Sequence, residues 1–347
     1  MSVAADGFRM PAEWAPHERT WMAWPGPNPT FDDPEDLAAA RVAWASVARA
    51  VRRFEPVTVV CGPGQSAEAR ALLGHGIDTV ERDLDDAWMR DIGPTFLTDD
   101  AGELAAVDWT FNGWGAQEWA RWEHDAKIAE YVSDLAGAAK TYTSELVNEG
   151  GAIHVDGEGT VLLTETVQLG PERNPHWTRE QVEAEIHAHL GTRKAIWLPR
   201  GLTGDYYSFG TLGHVDIVAA FACPGVVVAH VQPDPAHPDH EVTQEVVGLL
   251  KAQTDACGRR LEVVEVPAPT VLEADGRWAD YSYINHYLCN GGVVLCGFDD
   301  PRDETAAGIF RRLFPQRTVT LVDARTIFAG GGGIHCITQQ QPKVVVR

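Results

Sequence analysis

Val226-Val227-Val228-Ala229-His230, the proline-rich residues 232–238, a helical pattern opening near Asp239, and Leu261-Glu262-Val263-Val264-Glu265-Val266 decide the fold. The two runs rich in β-branched residues read as strands. With a helix between them they make one strand–helix–strand unit. Helical patterns also open near Trp119, Thr178 and Arg302, so the four starts fall about 60 residues apart. Further short strands are expected at 161–164, 195–198, 215–221, 293–296 and 318–322. Upstream, Leu37, Trp44, Val47, Val51 and Phe54 are spaced as one face of a helix, with Pro34 near its first turn. Residues 57–60 follow as a strand, while residues 10–25, crowded with Trp and Pro, read as an irregular packed segment. The class is α/β, and the period points to a closed array of like units. A doubly wound nucleotide-binding sheet finds no support, because no G-x-G-x-x-G follows a strand and no G-x-x-x-x-G-K is present.

The totals narrow the partners. A formal net charge of −22 argues against nucleic acid, which needs clustered Lys and Arg, and suits a cationic ligand. No apolar run approaches the roughly 18 residues of a membrane span. Cys61, Cys223, Cys257, Cys289, Cys296 and Cys336 are scattered without C-x-x-C spacing, and the first ten residues lack a signal-peptide core. A reducing, cytoplasmic setting is the expectation.

Four segments place chemistry beside glycine. In Gly330-Gly331-Gly332-Gly333-Ile334-His335-Cys336-Ile337-Thr338 a bare backbone leads into a cysteine, as if to present a thiolate at a strand tip. Trp88 and Asp91, with Gly93-Pro94 behind them, suit a flat cation: a carboxylate pairs with it and an indole stacks on it. Glu149 precedes Gly150-Gly151, and beyond it His154 and Asp156 alternate along an expected strand. There a metal pair is conceivable, without an obvious third ligand. In Gly213-His214-Val215-Asp216 the imidazole and carboxylate share a side, which is a general acid/base arrangement. Each segment alone is equally read as a buried cysteine, an acidic turn or a structural histidine.

Together with residues 10–25, Asn112-Gly113-Trp114-Gly115, Arg173-Asn174-Pro175-His176 and Gln339-Gln340-Gln341-Pro342, these segments resemble the agmatine deiminase family. That family sits with the bacterial-type peptidylarginine deiminases in the guanidine-modifying superfamily. The resemblance covers nearly the whole chain in order. It implies one catalytic domain over residues 1–347, a five-bladed α/β propeller of the pentein type with pseudo-fivefold ββαβ-like repeats. It also implies hydrolysis of a small guanidino compound to a ureido product and ammonia, without metal or other cofactor. A dimer or larger assembly and a place in polyamine synthesis come with it. By resemblance, Cys336 is the nucleophile, His214 the acid/base, and Asp91 and Asp216 the guanidinium clamps. Glu149 is a further proton partner, Trp88 a pocket wall, and Gly333 part of the substrate-binding loop.

Two departures stand out. Where the family carries an acidic run near the substrate's tail, this chain has Gly204-Asp205-Tyr206-Tyr207-Ser208-Phe209-Gly210-Thr211-Leu212. The family's loop also usually has Asn in place of Gly333. The expectation is therefore retained deimination, on agmatine or on another guanidino compound such as an arginine derivative. An amidinotransferase shares the nucleophile and remains open. The Asp-rich motifs of manganese ureohydrolases are absent. A propeller-like binding protein without turnover sits poorly with a full set of Cys336, His214, Asp91, Asp216 and Glu149.

Overall fold

The structure, a computed structural model, describes residues 3–274 and 276–344. It begins with β1 (His17–Ala23), α1 (Pro34–Arg52), β2 (Val57–Cys61), α2 (Ser66–Leu73) and β3 (Ile77–Glu81), whose strands run parallel in that order. Asp33 caps α1 by accepting from Glu35 N, and Pro34 occupies the first turn, where its missing N–H costs nothing. The buried stripe of α1 is the expected one, Leu37, Ala40, Trp44, Val47 and Val51.

Then one wiring repeats. In β4 (Thr95–Thr98), β5 (Leu104–Thr110), α3 (Ile128–Ala136) and β6 (Lys140–Val147), an antiparallel pair is followed by a helix and a strand parallel to its second member. The same order holds in β7 (His154–Val155), β8 (Thr160–Thr164), α4 (Arg179–Leu190) and β9 (Lys194–Leu198). It holds again in β10 (Ala219–Cys223), β11 (Val226–Val231), α5 (Asp239–Ala252) and β12 (Glu262–Pro267). After a small hairpin, β13 (Glu273–Ala274) with β14 (Arg277–Trp278), comes the next unit. This is β15 (Tyr287–Cys289), β16 (Gly292–Gly297), α6 (Asp303–Leu313) and β17 (Thr318–Asp323). Finally β18 (Gln339–Pro342) pairs antiparallel with β1, so the last strand supplies the first sheet's missing member. The fully buried strands β2, β8 and β16 carry continuous apolar or β-branched runs, as strands covered on both faces must.

Three expectations need correction. Residues 10–25 contain the strand β1, because the prolines lie outside the 17–23 span and consecutive buried residues at 20–23 hide any alternation. The strand expected at 215–221 begins only at Ala219; Val215–Ile217 is a 3-10 turn that swings Asp216 inward. The helix expected from Trp119 starts at Ile128 after a 3-10 turn at Asp125–Lys127, because Trp119 serves the site and not a helix face. No helix among the described residues is long and apolar enough to cross a membrane.

Candidate active site

Five short segments, each just ahead of the first strand of a sheet, meet at one place. They are the Met89–Ile92 turn before β4, Gly150–Ala152 before β7, Val215–Ile217 before β10, residues 282–286 before β15, and residues 332–338 before β18. Each touches the next. Arg90 N donates to the Cys336 carbonyl (3.0 Å), and Gly151 N to Asp91 Oδ1 (2.9 Å). His214 Nε2 meets Glu149 Oε2 (3.3 Å), Asn285 Nδ2 donates to the Asp216 carbonyl (3.5 Å), and His335 N to Asn285 Oδ1 (2.9 Å). The circuit is closed.

All five residues expected to do chemistry, Cys336, His214, Asp91, Asp216 and Glu149, are buried around this circuit. The Cys336 thiol points to Asp216 Oδ2 at 3.5 Å. His214 Nδ1 lies 3.9 Å from Asp91 Oδ1. Gly151 has to be glycine: an added Cβ would stand 2.5 Å from His214 Nδ1, 3.0 Å from Asp91 Oδ1 and 3.1 Å from Asp216 Oδ2. Two buried atoms of the group, His214 Nδ1 and Asp216 Oδ1, have no hydrogen-bond partner among the described residues. Buried polar atoms are nearly always paired, so such orphans mark where a ligand's polar groups belong.

The charges are set by neighbours. Burial pushes the Cys336 thiol well above its ordinary value, and the carboxylates of Asp216 and Asp91 push it the same way. Burial also raises Asp91, with His214 opposing and Asp216 and Glu149 adding. Burial disfavours charge on His214, yet Asp91, Glu149 and Asp216 together carry it up to about 9. Glu149 stays below the usual range against its own burial because Arg173 pairs with it, Nε to Oε1 at 3.0 Å, inside the protein. At neutral pH the thiol is therefore held neutral and the His214 imidazole charged, facing a ring of carboxyl groups from Asp91, Glu149 and Asp216.

The entrance is a narrow slot lined by Trp88, Asp91, Trp114, Trp119, Phe209, Thr211, Gly331 and Cys336. Trp88 lines this slot, and Gly331 borders it where Gly333 does not; a Cβ at Gly333 would strike Asn285 Oδ1 at 2.5 Å. An amide nonetheless stands beside the sulfur, because Asn285 Nδ2 donates to Cys336 Sγ at 3.2 Å. Cys336 itself lies in a turn three residues ahead of β18, not at a strand tip.

Sequence reading missed three partners. Asn285 has no glycine or acid next to it; only its place in the repeat distinguishes it. Arg173 orders the site twice, pairing with Glu149 and donating to the Thr211 carbonyl at 2.7 Å. Trp114 Nε1 donates to Asp91 Oδ2 at 2.9 Å. It does so from a left-handed turn with φ 69, 55, 92 and 53 at Gly113, Trp114, Gly115 and Ala116. Such backbone costs energy outside glycine and persists where surroundings enforce it. The altered stretch at 204–212 is structural in part. Asp205 is buried, and its carboxylate accepts from Thr211 N, Thr211 Oγ1, Gly213 N and His214 N, holding the His214 loop.

Glu13, His154 and His335 bring donor atoms within 4.8 Å of one another, but their chemistry is that of an ion-pair network. His335 bonds through both ring nitrogens, to Asp216 Oδ2 and Glu13 Oε2, each at 2.8 Å, and the Arg90 guanidinium stands 3.8 Å from that Glu13 oxygen. A cation already fills the role a metal would take. Asp156, expected beside His154, is engaged with Glu158 N and Thr160 instead.

Comparison with known proteins places this buried cluster of thiol, imidazole and carboxyl groups in a guanidine-modifying enzyme. The family model described as Porphyromonas-type peptidyl-arginine deiminase matches residues 9–342, and the chain belongs to that family. A Streptomyces avermitilis protein bearing a provisional agmatine deiminase name is 88% identical over 98% of this chain and 99% of its own. The agmatine deiminase of Pseudomonas aeruginosa is 43% identical over 97% of this chain and 96% of its own. The solved agmatine deiminase of Enterococcus faecalis superposes with a TM-score of 0.92 at 34% identity, covering 99% of this chain and 98% of that one.

Proposed function

We propose that this protein is an agmatine deiminase, converting agmatine and water to N-carbamoylputrescine and ammonia through a covalent adduct on Cys336. The observation that carries the reading is the pair of unpartnered atoms, Asp216 Oδ1 and His214 Nδ1, beside Asp91 and the thiol. A guanidinium seated there donates to Asp216 Oδ1, and its departing nitrogen faces the His214 Nδ1–H that would protonate it. Its charge also opposes the field that keeps the thiol protonated, so the thiol gives up its proton to solvent as the substrate binds and leaves the thiolate that attacks.

The steps follow from the charges. The thiolate adds to the guanidinium carbon, and the His214 imidazolium gives its proton to the departing nitrogen, which leaves as ammonia. A thiouronium remains on Cys336. His214, now neutral, takes a proton from water as that water attacks the same carbon. On collapse the C–S bond breaks and the adduct's hydroxyl proton passes to solvent, which releases the neutral ureido product and restores the thiolate. Glu149 holds His214 throughout, and Arg173 keeps Glu149 ionised.

The names of the relatives support agmatine over an arginine derivative or an amidinotransferase. The repeated wiring and the closed circuit of contacts support the reading of one catalytic domain as a ring of five like units, with β18 completing the first. An ammonia-release assay on agmatine, arginine and other guanidino compounds, with and without chelator, tests the function. Agmatine is expected to dominate by orders of magnitude in kcat/KM, with no effect of chelator. Turnover surviving in Cys336→Ala would remove the covalent route.

A further inference from the structure

Joined to Asp216 is a buried line of charges, His335 and Glu13, that the chemistry above does not use. Glu13 Oε2, both nitrogens of His335 and Asp216 Oδ2 form a chain with two contacts of 2.8 Å. We infer that His335 is a positioning residue: clamped between Glu13 and Asp216, it fixes the Asp216 carboxylate in one rotamer and leaves Oδ1 alone to receive a guanidinium N–H. The inference rests on the reading of the site as a guanidinium site.

The anchoring is built in depth. Glu13 Oε1 accepts from Leu288 N at 2.7 Å, so the far end of the chain cannot swing. The His335 carbonyl lies 3.3 Å from Arg90 Nε, and Arg90 Nη1 donates to Gln340 at 2.8 Å. The groups facing the imidazole are Glu13 and Asp216, which favour its charge, and Arg90, His154 and His286, which oppose it. Burial holds His154 down to about 3 and His286 to about 4, leaving Arg90 as the charged opponent. Burial and Arg90 disfavour charge on His335, but Glu13 and Asp216 outweigh them and raise it. In return Asp216 stays below its ordinary range despite its own burial. A neutral amide in place of His335 keeps a hydrogen bond but removes that charge.

The test measures agmatine binding by calorimetry across pH in a Cys336→Ala background, with and without His335→Gln. The background variant should bind agmatine into the mildly acidic range. Adding His335→Gln should weaken binding about 10²-fold, the order expected of a misplaced clamp, and move the acid limb to higher pH. Binding that is equal at every pH in the two proteins, both folded by circular dichroism, overturns the inference. If His335→Gln fails to fold, Glu13→Gln takes its place, and an unmoved acid limb there overturns it equally. Absence of agmatine binding in the Cys336→Ala background would instead strike the functional reading, so the two failures are distinct.

Discussion

The thiol of Cys336 faces the carboxylate of Asp216 at 3.5 Å, a pairing that opposes ionisation of the sulfur. A negative charge beside a thiol opposes its ionisation. Burial contributes most to the raised value, and Asp216 is the largest charge effect. On the mechanism proposed above, the protein would store its nucleophile as a thiol until a guanidinium binds.

One consequence separates reactivity from catalysis. Asp216→Asn should lower the thiol's ionisation range while reducing kcat/KM by about 10³-fold or more, since a clamp on the cation is lost. Thiolate absorbance followed across pH, as the difference from a Cys336→Ala control, checks the first effect. Cys223 and Cys257 are exposed, so the control is essential. An Asn variant with the thiol unchanged would mean that Asp216 does not govern the sulfur.

His214 offers a pH signature. Its folded-state value is raised from 6.5 to about 9, so its charged form contributes stability fully below pH 6.5. That contribution fades as pH rises through about 9. Histidine resonances of labelled protein should show one imidazole titrating near pH 9, absent in His214→Gln. In Asp91→Asn it should titrate lower, because the largest supporting charge is gone. A His214 signal titrating at the ordinary value would contradict the carboxylate ring.

Much of this was legible in the chain because glycine and acid travel together. Asp91, Glu149, Asp216 and Cys336 each sit in a segment whose glycines or turns permit close approach, and that pattern is local. Asn285 was illegible, and Arg173 and Trp114 were singled out only as parts of resembling segments without a role, for the same reason inverted: their roles exist only after distant units meet. Asn285, in Tyr283-Ile284-Asn285-His286, carries no local mark at all. Helix periodicity located α1, α4, α5 and α6 well. It failed near Trp119, whose ring stacks on Trp114 at 5.4 Å instead of packing as part of a helix stripe. The run at 215–221 reads as strand because Val and Ile favour one, but Asp216 must reach the site, and the backbone yields a 3-10 turn.

Gly151 gives a test of geometry with little change in chemistry. Gly151→Ala places a methyl where His214 Nδ1, Asp91 Oδ1 and Asp216 Oδ2 converge, the nearest at 2.5 Å. Its φ does not demand glycine, so the cost is crowding alone, about 1–3 kcal/mol of stability. Activity should suffer far more, about 10²-fold or greater in kcat/KM, because the clamps are spread apart. Thermal melting and steady-state kinetics on one preparation compare the two losses. Retained activity would place the guanidinium elsewhere.

Trp114→Phe isolates one hydrogen bond. The ring partners, Trp119 stacked at 5.4 Å and Phe111 edge-on at 5.0 Å, can accept phenylalanine, whereas the donor to Asp91 Oδ2 cannot be replaced. A bond to a charged group contributes about 1.5–3 kcal/mol, which corresponds to about 10–100-fold in kcat/KM. Burial already raises Asp91, and the indole N–H is among the groups that restrain it. Without that donor Asp91 should ionise at higher pH, so the acid limb of kcat/KM should shift upward along with the loss of rate. Since a carboxylate with a raised folded-state value is disfavoured as the anion, the deficit should shrink as pH rises and Asp91 regains its charge. A uniform loss at every pH would assign Trp114 to packing of the slot and not to the charge of Asp91.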